Sequence, residues 1–467
     1  MKFNALVGAG LFLLSASAAL AQQQAHGDPT TGDAPAAIVA RGEYLARAGD
    51  CISCHTVPGG TPFVGGRAFT LPFGVIYSTN ITPDNETGIG AWTDDQFVRA
   101  VHEGISKDGE HLYPAFPYAS YTQISREDVL AIKAYLFSMP PVHQPRTANS
   151  LSFPFNQRWG MAFWNALNLD AARFKPDPGK SAEWNRGNYL ANALGHCGEC
   201  HTPRNVTFGL QASRMFSGAE IEGWRAYNAS ADAALGIGDW SMQELEQFLK
   251  TGHAENRGSA SGPMEEVVRL SLSHLNDQDI HSLAVYLKDT APVSNERDPR
   301  VAAAPSALQD GRYVPGTGDA GLGQKVFAGN CASCHSWNGG GMSTPFAGLR
   351  GSKTANDAVG SNIVQVVLSG QKANTSTGVV SMPSFRLSLN NIEIAAVANY
   401  IVGRFGDKPG FVTPEQVEKQ RAGEQRIDFG PYVRFAIGGL VIIIVTGFLA
   451  FLAFRSRRQP RGNMHAH

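Results

Sequence analysis

The six cysteines of this 467-residue chain form three pairs with one spacing, and a histidine directly follows each pair. C-x-x-C-H is the attachment pattern of c-type haem. Thiols three residues apart lie on one face of a helical turn, where both can bond one edge of a porphyrin. The histidine that follows can then reach the iron as its proximal ligand.

A single motif of this kind is also typical of a redox dithiol or of half a zinc site. Three copies that use every cysteine favour haem, and three covalent haem c groups are predicted. The residues that would attach the haems and bind their irons are Cys51, Cys54 and His55, then Cys197, Cys200 and His201, then Cys331, Cys334 and His335.

The residues around the motifs repeat as well. Arg41-Gly42-Glu43-Tyr44-Leu45-Ala46 precedes the first motif, Arg186-Gly187-Asn188-Tyr189-Leu190-Ala191 the second and Gly323-Gln324-Lys325-Val326-Phe327 the third. Each predicts a helix whose glycine and aromatic residue allow a close helix crossing. Gly-Ile-Gly-x-Trp occurs twice, beginning at Gly88 and Gly236.

A last helix is predicted in each repeat. Ser125, Asn276 and Asn390 are N-cap residues, and an acidic residue stands three positions after each of them. An aromatic residue follows each cap after ten positions, at Tyr135, Tyr286 and Tyr400. The repeat resembles the class I cytochrome c fold, in which the first and last helices cross beside a haem.

The predicted fold class is all-α, with three tandem cytochrome c domains and one C-terminal transmembrane helix. We refer to the three domains as units 1, 2 and 3. The predicted boundaries are a signal peptide over 1–21, unit 1 over 37–145, unit 2 over 176–292, unit 3 over 319–407 and the transmembrane helix over 435–454. The segment 153–174 is rich in aromatic residues and is expected to pack against its neighbours.

The sixth iron ligand of an electron-transfer haem is normally a methionine sulfur. Met264 and Met382 each lie on the loop before a predicted last helix and are the candidates in units 2 and 3. The alternative for each is a methionine that only fills a gap in the core.

Unit 1 has Phe116 where this methionine is expected. Phenylalanine cannot bind iron, so the first haem is either five-coordinate or bound by another residue. Met139, His102 and His111 are the candidates, and the sequence does not choose among them.

Both ends of the chain predict an exported, membrane-attached protein. Lys2, an apolar stretch over 5–14 and Ala19-Leu20-Ala21 form a secretory signal pattern. The 20 residues over 435–454 carry no charge and are long enough to span a bilayer. Four arginines follow by position 461, which predicts a cytoplasmic tail and a body on the periplasmic face. An N-terminal anchor and a buried core helix are the weaker alternatives.

The balance of 39 basic and 40 acidic residues gives a formal net charge of −1. Nucleic-acid binding needs clustered positive charge and is excluded.

These motifs, together with His196-Cys197-Gly198-Glu199-Cys200-His201-Thr202-Pro203-Arg204-Asn205, resemble the triple-haem cytochrome c subunits of membrane-bound bacterial dehydrogenases. Within that family the chain is most similar to the subunit of quinohaemoprotein alcohol dehydrogenase. The resemblance implies a quinoprotein partner subunit containing pyrroloquinoline quinone (PQQ), ubiquinone as electron acceptor, and room for a small third subunit.

Relatives that serve gluconate, sorbitol, fructose or aldehyde dehydrogenases are the alternatives within this family. A haem peroxidase that uses the open position at Phe116, or a terminal-oxidase cytochrome subunit, are alternatives of other classes.

Overall fold

The computed structural model describes residues 35–294 and 319–423, apart from 358, 376–377 and 407–409, together with residue 446. Short helices follow one another through all three units and are joined by long loops and small hairpins.

The elements of unit 1 begin with the helix that leads into the first haem motif. They are α1 Pro35–Ala48, α2 Cys51–His55, β1 Ala68–Leu71, β2 Gly74–Tyr77, α3 Asp94–Glu103, α4 Tyr118–Tyr121 and α5 Arg126–Phe137. The connection to unit 2 contains β3 Ser150–Leu151 and α6 Gly160–Asn168.

Unit 2 follows the same order, with a π-helical segment over Tyr189–Leu194 that continues its first helix. Its elements are α7 Ala182–Asn188, α8 Gly198–His201, β4 Ala219–Ile221, β5 Trp224–Ala226, α9 Met242–Thr251, β6 His253–Ala254, β7 Gly258–Ser259, α10 Pro263–Leu270 and α11 Asp277–Lys288.

Unit 3 is followed by one further described helix. The elements here are α12 Asp319–Asn330, α13 Ala332–His335, α14 Lys353–Asn356, α15 Ser361–Ser369, β8 Gln371–Thr375, β9 Gly378–Met382, α16 Asn391–Phe405 and α17 Pro414–Ala422.

The first and last helices of each unit cross at the predicted glycine. A Cβ atom on Gly42 would lie 1.9 Å from the carbonyl oxygen of Ala131, and one on Gly187 would lie 1.9 Å from that of Ser282. The corresponding distance from Gly323 to Ala396 is 2.2 Å. Any side chain at these positions would push the helices apart, so the close crossing requires glycine.

The three predicted N-caps are confirmed. The side chains of Ser125, Asn276 and Asn390 accept hydrogen bonds from the backbone N–H three residues later. Asn390 also takes part in a capping box with Glu393. These bonds satisfy donors that have no partner within the helix.

Units 1 and 2 share one apolar core. In addition, one tyrosine hydroxyl of each unit donates a hydrogen bond to a carboxylate of the other unit. Tyr44 of unit 1 donates to Asp279 of unit 2 at 2.6 Å. Tyr189 of unit 2 donates to Asp128 of unit 1, also at 2.6 Å. Each carboxylate is paired within its own unit with an arginine, at 2.7 Å for Arg41–Asp128 and 2.6 Å for Arg186–Asp279.

Unit 3 has a core of its own and packs against unit 2 through polar contacts. The backbone N–H of Arg225 donates to Asn362, and the Asn362 side-chain amide donates back to the Arg225 carbonyl. The buried ammonium of Lys353 donates to the carbonyl of Asn228 at 3.1 Å.

The all-α expectation is wrong, because four small antiparallel sheets occur in the described residues. β1, β2 and β3 form one sheet, and β4–β5, β6–β7 and β8–β9 form hairpins. The β4–β5 turn consists of Glu222 and Gly223, whose φ values of 50° and 76° are those of a type I′ hairpin turn. Strands of two to five residues carry too little alternation to be read from sequence.

The membrane part of the fold prediction is not supported either. No helix within residues 35–294 or 319–423 has the length and apolar character needed to cross a bilayer. The helix predicted over 435–454 lies outside the described residues, except for Thr446, and the signal peptide over 1–21 lies outside them completely.

Candidate haem-binding sites

The three C-x-x-C-H motifs adopt the helical turn that the spacing predicts. They form α2, the turn that includes α8, and the turn that includes α13. None of the six cysteines, all of which lie in the described residues, forms a disulfide.

Each motif histidine has the same hydrogen bond. The Nδ1 atoms of His55, His201 and His335 bond the backbone carbonyl oxygens of Thr79, Tyr227 and Ala347, each at 2.7 Å. A carbonyl can only accept, so Nδ1 carries the proton and Nε2 keeps its lone pair for iron. This repeated arrangement fits a haem iron at all three motifs.

Burial also suits these side chains to haem binding. Desolvation lowers the pKa of His55, His201 and His335 below the ordinary value for histidine, which favours the neutral imidazole that can bind a metal. Burial raises the pKa of the Cys51 and Cys54 thiols to about 12. A reactive redox dithiol has a lowered thiol pKa, which is the opposite direction to the shift at Cys51 and Cys54.

Unit 3 contains a cleft that is open to solvent. Cys331, Cys334 and His335 line one part of it, and Met382 and Phe385 line another. Its lining is mainly apolar, as is usual for sites that hold small-molecule cofactors. The predicted attachment residues and the predicted sulfur ligand therefore border one space.

Met264 lies in the first turn of α10, next to Pro263, and packs against the core shared by units 1 and 2. Helix α10 is linked to unit 1 by a bidentate ion pair between Arg67 and Glu266, with N···O distances of 2.7 and 2.8 Å.

The three candidates for the first haem's sixth ligand have different surroundings. The Nε2 atom of His102 bonds the Ile124 carbonyl at 2.9 Å, and Met139 packs against the apolar core. His111 has a buried Nδ1 atom without a hydrogen-bond partner in the described residues. Phe116 packs against Tyr121, with ring centroids 5.5 Å apart.

A contact that the sequence did not predict joins the first two motifs. The His196 ring meets the Tyr121 ring edge-on at 5.4 Å, and the Tyr121 hydroxyl donates to the Gly49 carbonyl at 2.6 Å. Gly49 stands two residues before Cys51, and His196 directly precedes Cys197. The first and second motifs are thus neighbours across the boundary between units.

Comparisons with known proteins identify the family of the chain. The family model for cytochrome c matches residues 320–404. The gluconate 2-dehydrogenase cytochrome c subunit of Pantoea cypripedii is 38% identical over 87% of this chain and 92% of its own length. The cytochrome c subunit of the quinone alcohol dehydrogenase of Gluconacetobacter polyoxogenes is 36% identical over 90% of both chains.

This chain belongs to the family of dehydrogenase cytochrome c subunits. Members of the family transfer electrons through covalently bound haem c, and the expected family is confirmed.

A further relative is a nicotinate dehydrogenase subunit of Pseudomonas putida, which is 43% identical over 82% of this chain. The chain spans only about a third of that protein's length.

Proposed function

We propose that the chain carries three haem c groups, one at each C-x-x-C-H motif. His55, His201 and His335 would bind the irons through Nε2, because their Nδ1 atoms are already hydrogen-bonded to carbonyls. Met264 and Met382 would supply the second axial ligands in units 2 and 3, and a sulfur ligand raises the haem potential.

We propose that these haems form a relay from a dehydrogenase subunit to ubiquinone. A bound haem supplies reversible one-electron chemistry, and the chain's own contribution is to hold the groups in order. The observations that carry this proposal are the packing of motif 1 beside motif 2 and the packing of unit 2 against the cleft of unit 3. His196 and Tyr121 join motifs 1 and 2, and Ser259 and Ser261 of unit 2 line the cleft of unit 3.

The electron donor would be a PQQ-containing alcohol dehydrogenase subunit on the periplasmic side of the membrane. The quinone alcohol dehydrogenase relative, matched over 90% of both chains, supports this assignment. Gluconate is the second candidate substrate, because the gluconate 2-dehydrogenase relative has slightly higher identity over a similar length.

The test uses the complex purified through a tag on the full chain. Ethanol, gluconate and nicotinate are added separately under anaerobic conditions, and haem absorbance and ubiquinone reduction are followed together. Ethanol should reduce the haems first and ubiquinone afterwards, whereas gluconate acting alone would establish the second candidate.

If none of the three substrates reduces the haems of a complex that contains a dehydrogenase subunit, the assigned substrate class is wrong. Turnover of hydrogen peroxide by the chain alone would instead favour a haem peroxidase.

A further inference from the structure

Helix α6, between units 1 and 2, presents an apolar stripe to solvent. The stripe consists of Trp159, Phe163 and Leu167, which are 66%, 67% and 71% exposed. They are spaced four residues apart and so lie on one face of the helix. The Trp159 and Phe163 rings contact each other edge-on at 6.1 Å. The sequence predicts that this segment packs against its neighbours, and this face of it does not.

The opposite face of α6 is firmly held. The Trp164 indole N–H donates to the Thr207 carbonyl at 2.8 Å, and Asn165 accepts from the Tyr118 hydroxyl at 2.7 Å. Asn168 accepts from the Thr207 hydroxyl at 3.0 Å. The stripe is therefore displayed by a helix fixed on both sides of the junction between units 1 and 2.

The inner contacts place α6 beside two segments of the candidate haem sites. Tyr118 directly follows the loop of unit 1 that contains Phe116, and Thr207 lies six residues after the proximal histidine of unit 2. A protein bound to the stripe would therefore be separated from both of these segments only by the width of α6, roughly 10 Å, which is close enough for a redox partner.

The size of the surface fits a protein interface. A buried aromatic side chain contributes roughly 150–250 Å², so the exposed parts of the three stripe side chains amount to about 400 Å². One side of a standard protein interface buries about 800 Å². Exposed tryptophan and phenylalanine are typical of the side chains that dominate binding energy.

The charges favour a protein over a lipid surface. Helices that lie on membranes carry lysine and arginine beside their apolar face to meet anionic headgroups. No residue of Gly160–Asn168 is charged. Arg158, just before the helix, forms an ion pair with Glu110 at 3.7 Å and a cation–π contact with the Tyr113 ring at 4.9 Å.

We propose that the α6 stripe is the docking surface for the substrate-oxidising subunit, whose facing surface would be an uncharged pocket for the two aromatic rings. This inference rests on the proposed function, since it takes the dehydrogenase subunit as partner.

The test is photo-crosslinking in the intact complex. Phe163→p-benzoylphenylalanine places the crosslinker in the stripe, and Leu387→p-benzoylphenylalanine is the matched control on an exposed apolar residue of unit 3. Irradiation should join position 163, and not position 387, to the subunit with dehydrogenase activity. Trp159→Ser combined with Phe163→Ser should weaken binding of that subunit at least about 30-fold, as loss of a central aromatic contact does.

Crosslinking of position 163 to lipid or to a second copy of this chain would overturn the docking inference. Crosslinking from position 387 alone would do the same and leave the proposed function intact. If no dehydrogenase subunit co-purifies with the unsubstituted chain, the proposed function itself fails.

Discussion

Two tyrosine hydroxyls donate hydrogen bonds between units 1 and 2, and removing one hydroxyl oxygen measures how much its hydrogen bond contributes to the free energy of unfolding. Tyr189→Phe keeps the ring and removes the hydroxyl that donates to Asp128 at 2.6 Å and accepts from the Ser125 N–H at 3.3 Å. A hydrogen bond to a charged group contributes about 1.5–3 kcal/mol. Arg41 still pairs with Asp128, so that carboxylate keeps one partner. We therefore expect a loss of about 2 kcal/mol in the free energy of unfolding.

The assay is urea unfolding of the full haem-containing chain, followed by circular dichroism. With a urea dependence of about 3 kcal/mol per molar, the midpoint of the transition involving units 1 and 2 should fall by about 0.7 M. Tyr77→Phe is the matched control, because the Tyr77 hydroxyl has no hydrogen bond in the described part of unit 1. A midpoint for Tyr189→Phe within about 0.2 M of the unsubstituted chain, or an equal fall for Tyr77→Phe, would refute this reasoning.

Three further changes test other parts of the structure. Gly187→Ala should destabilise the chain by about 1–3 kcal/mol in urea unfolding because it overpacks a helix crossing, whereas Gly329→Ala, in an open helical position, should not destabilise it. Met382→Leu should lower one haem potential in a redox titration without releasing the haem, and Met342→Leu, on an exposed residue, should leave all potentials unchanged. Burial lowers the pKa of His102 in the folded chain to about 4, whereas in the unfolded chain this histidine has its ordinary pKa of about 6.5. As the pH falls from 6.5 towards 4, the unfolded chain therefore binds a proton that the folded chain does not, and the free energy of unfolding decreases. His102→Gln should make urea midpoints less dependent on pH over that range, and an unchanged dependence would contradict the assignment.

The features that are predictable from the sequence are local and repeated. The caps at Ser125, Asn276 and Asn390 depend on residues three positions apart, which the chain shows directly. The crossing glycines are recognisable because Gly42 and Gly187 occupy the same place in the Arg-Gly-x-Tyr-Leu-Ala repeat that precedes a haem motif.

The features that the sequence does not reveal depend on distant partners. The repeat pattern predicts Tyr44 only as part of a helix crossing, yet its hydroxyl bonds a carboxylate 235 residues away. In unit 3 the equivalent residue is Phe327, which has no hydroxyl and cannot donate a hydrogen bond to a neighbouring unit. Its ring is fully buried against Tyr400. Trp159 and Trp164 are both aromatic, and only the fold decides which one is covered.

The central claim is that one chain carries three covalent haems, and counting them tests it most directly. A pyridine haemochrome assay on the purified full chain, with protein measured by amino-acid analysis, should return three haems per chain. The same assay on Cys331→Ala combined with Cys334→Ala should return two, because the other motifs keep their own thiols. Two or fewer haems on the unsubstituted chain would contradict the account.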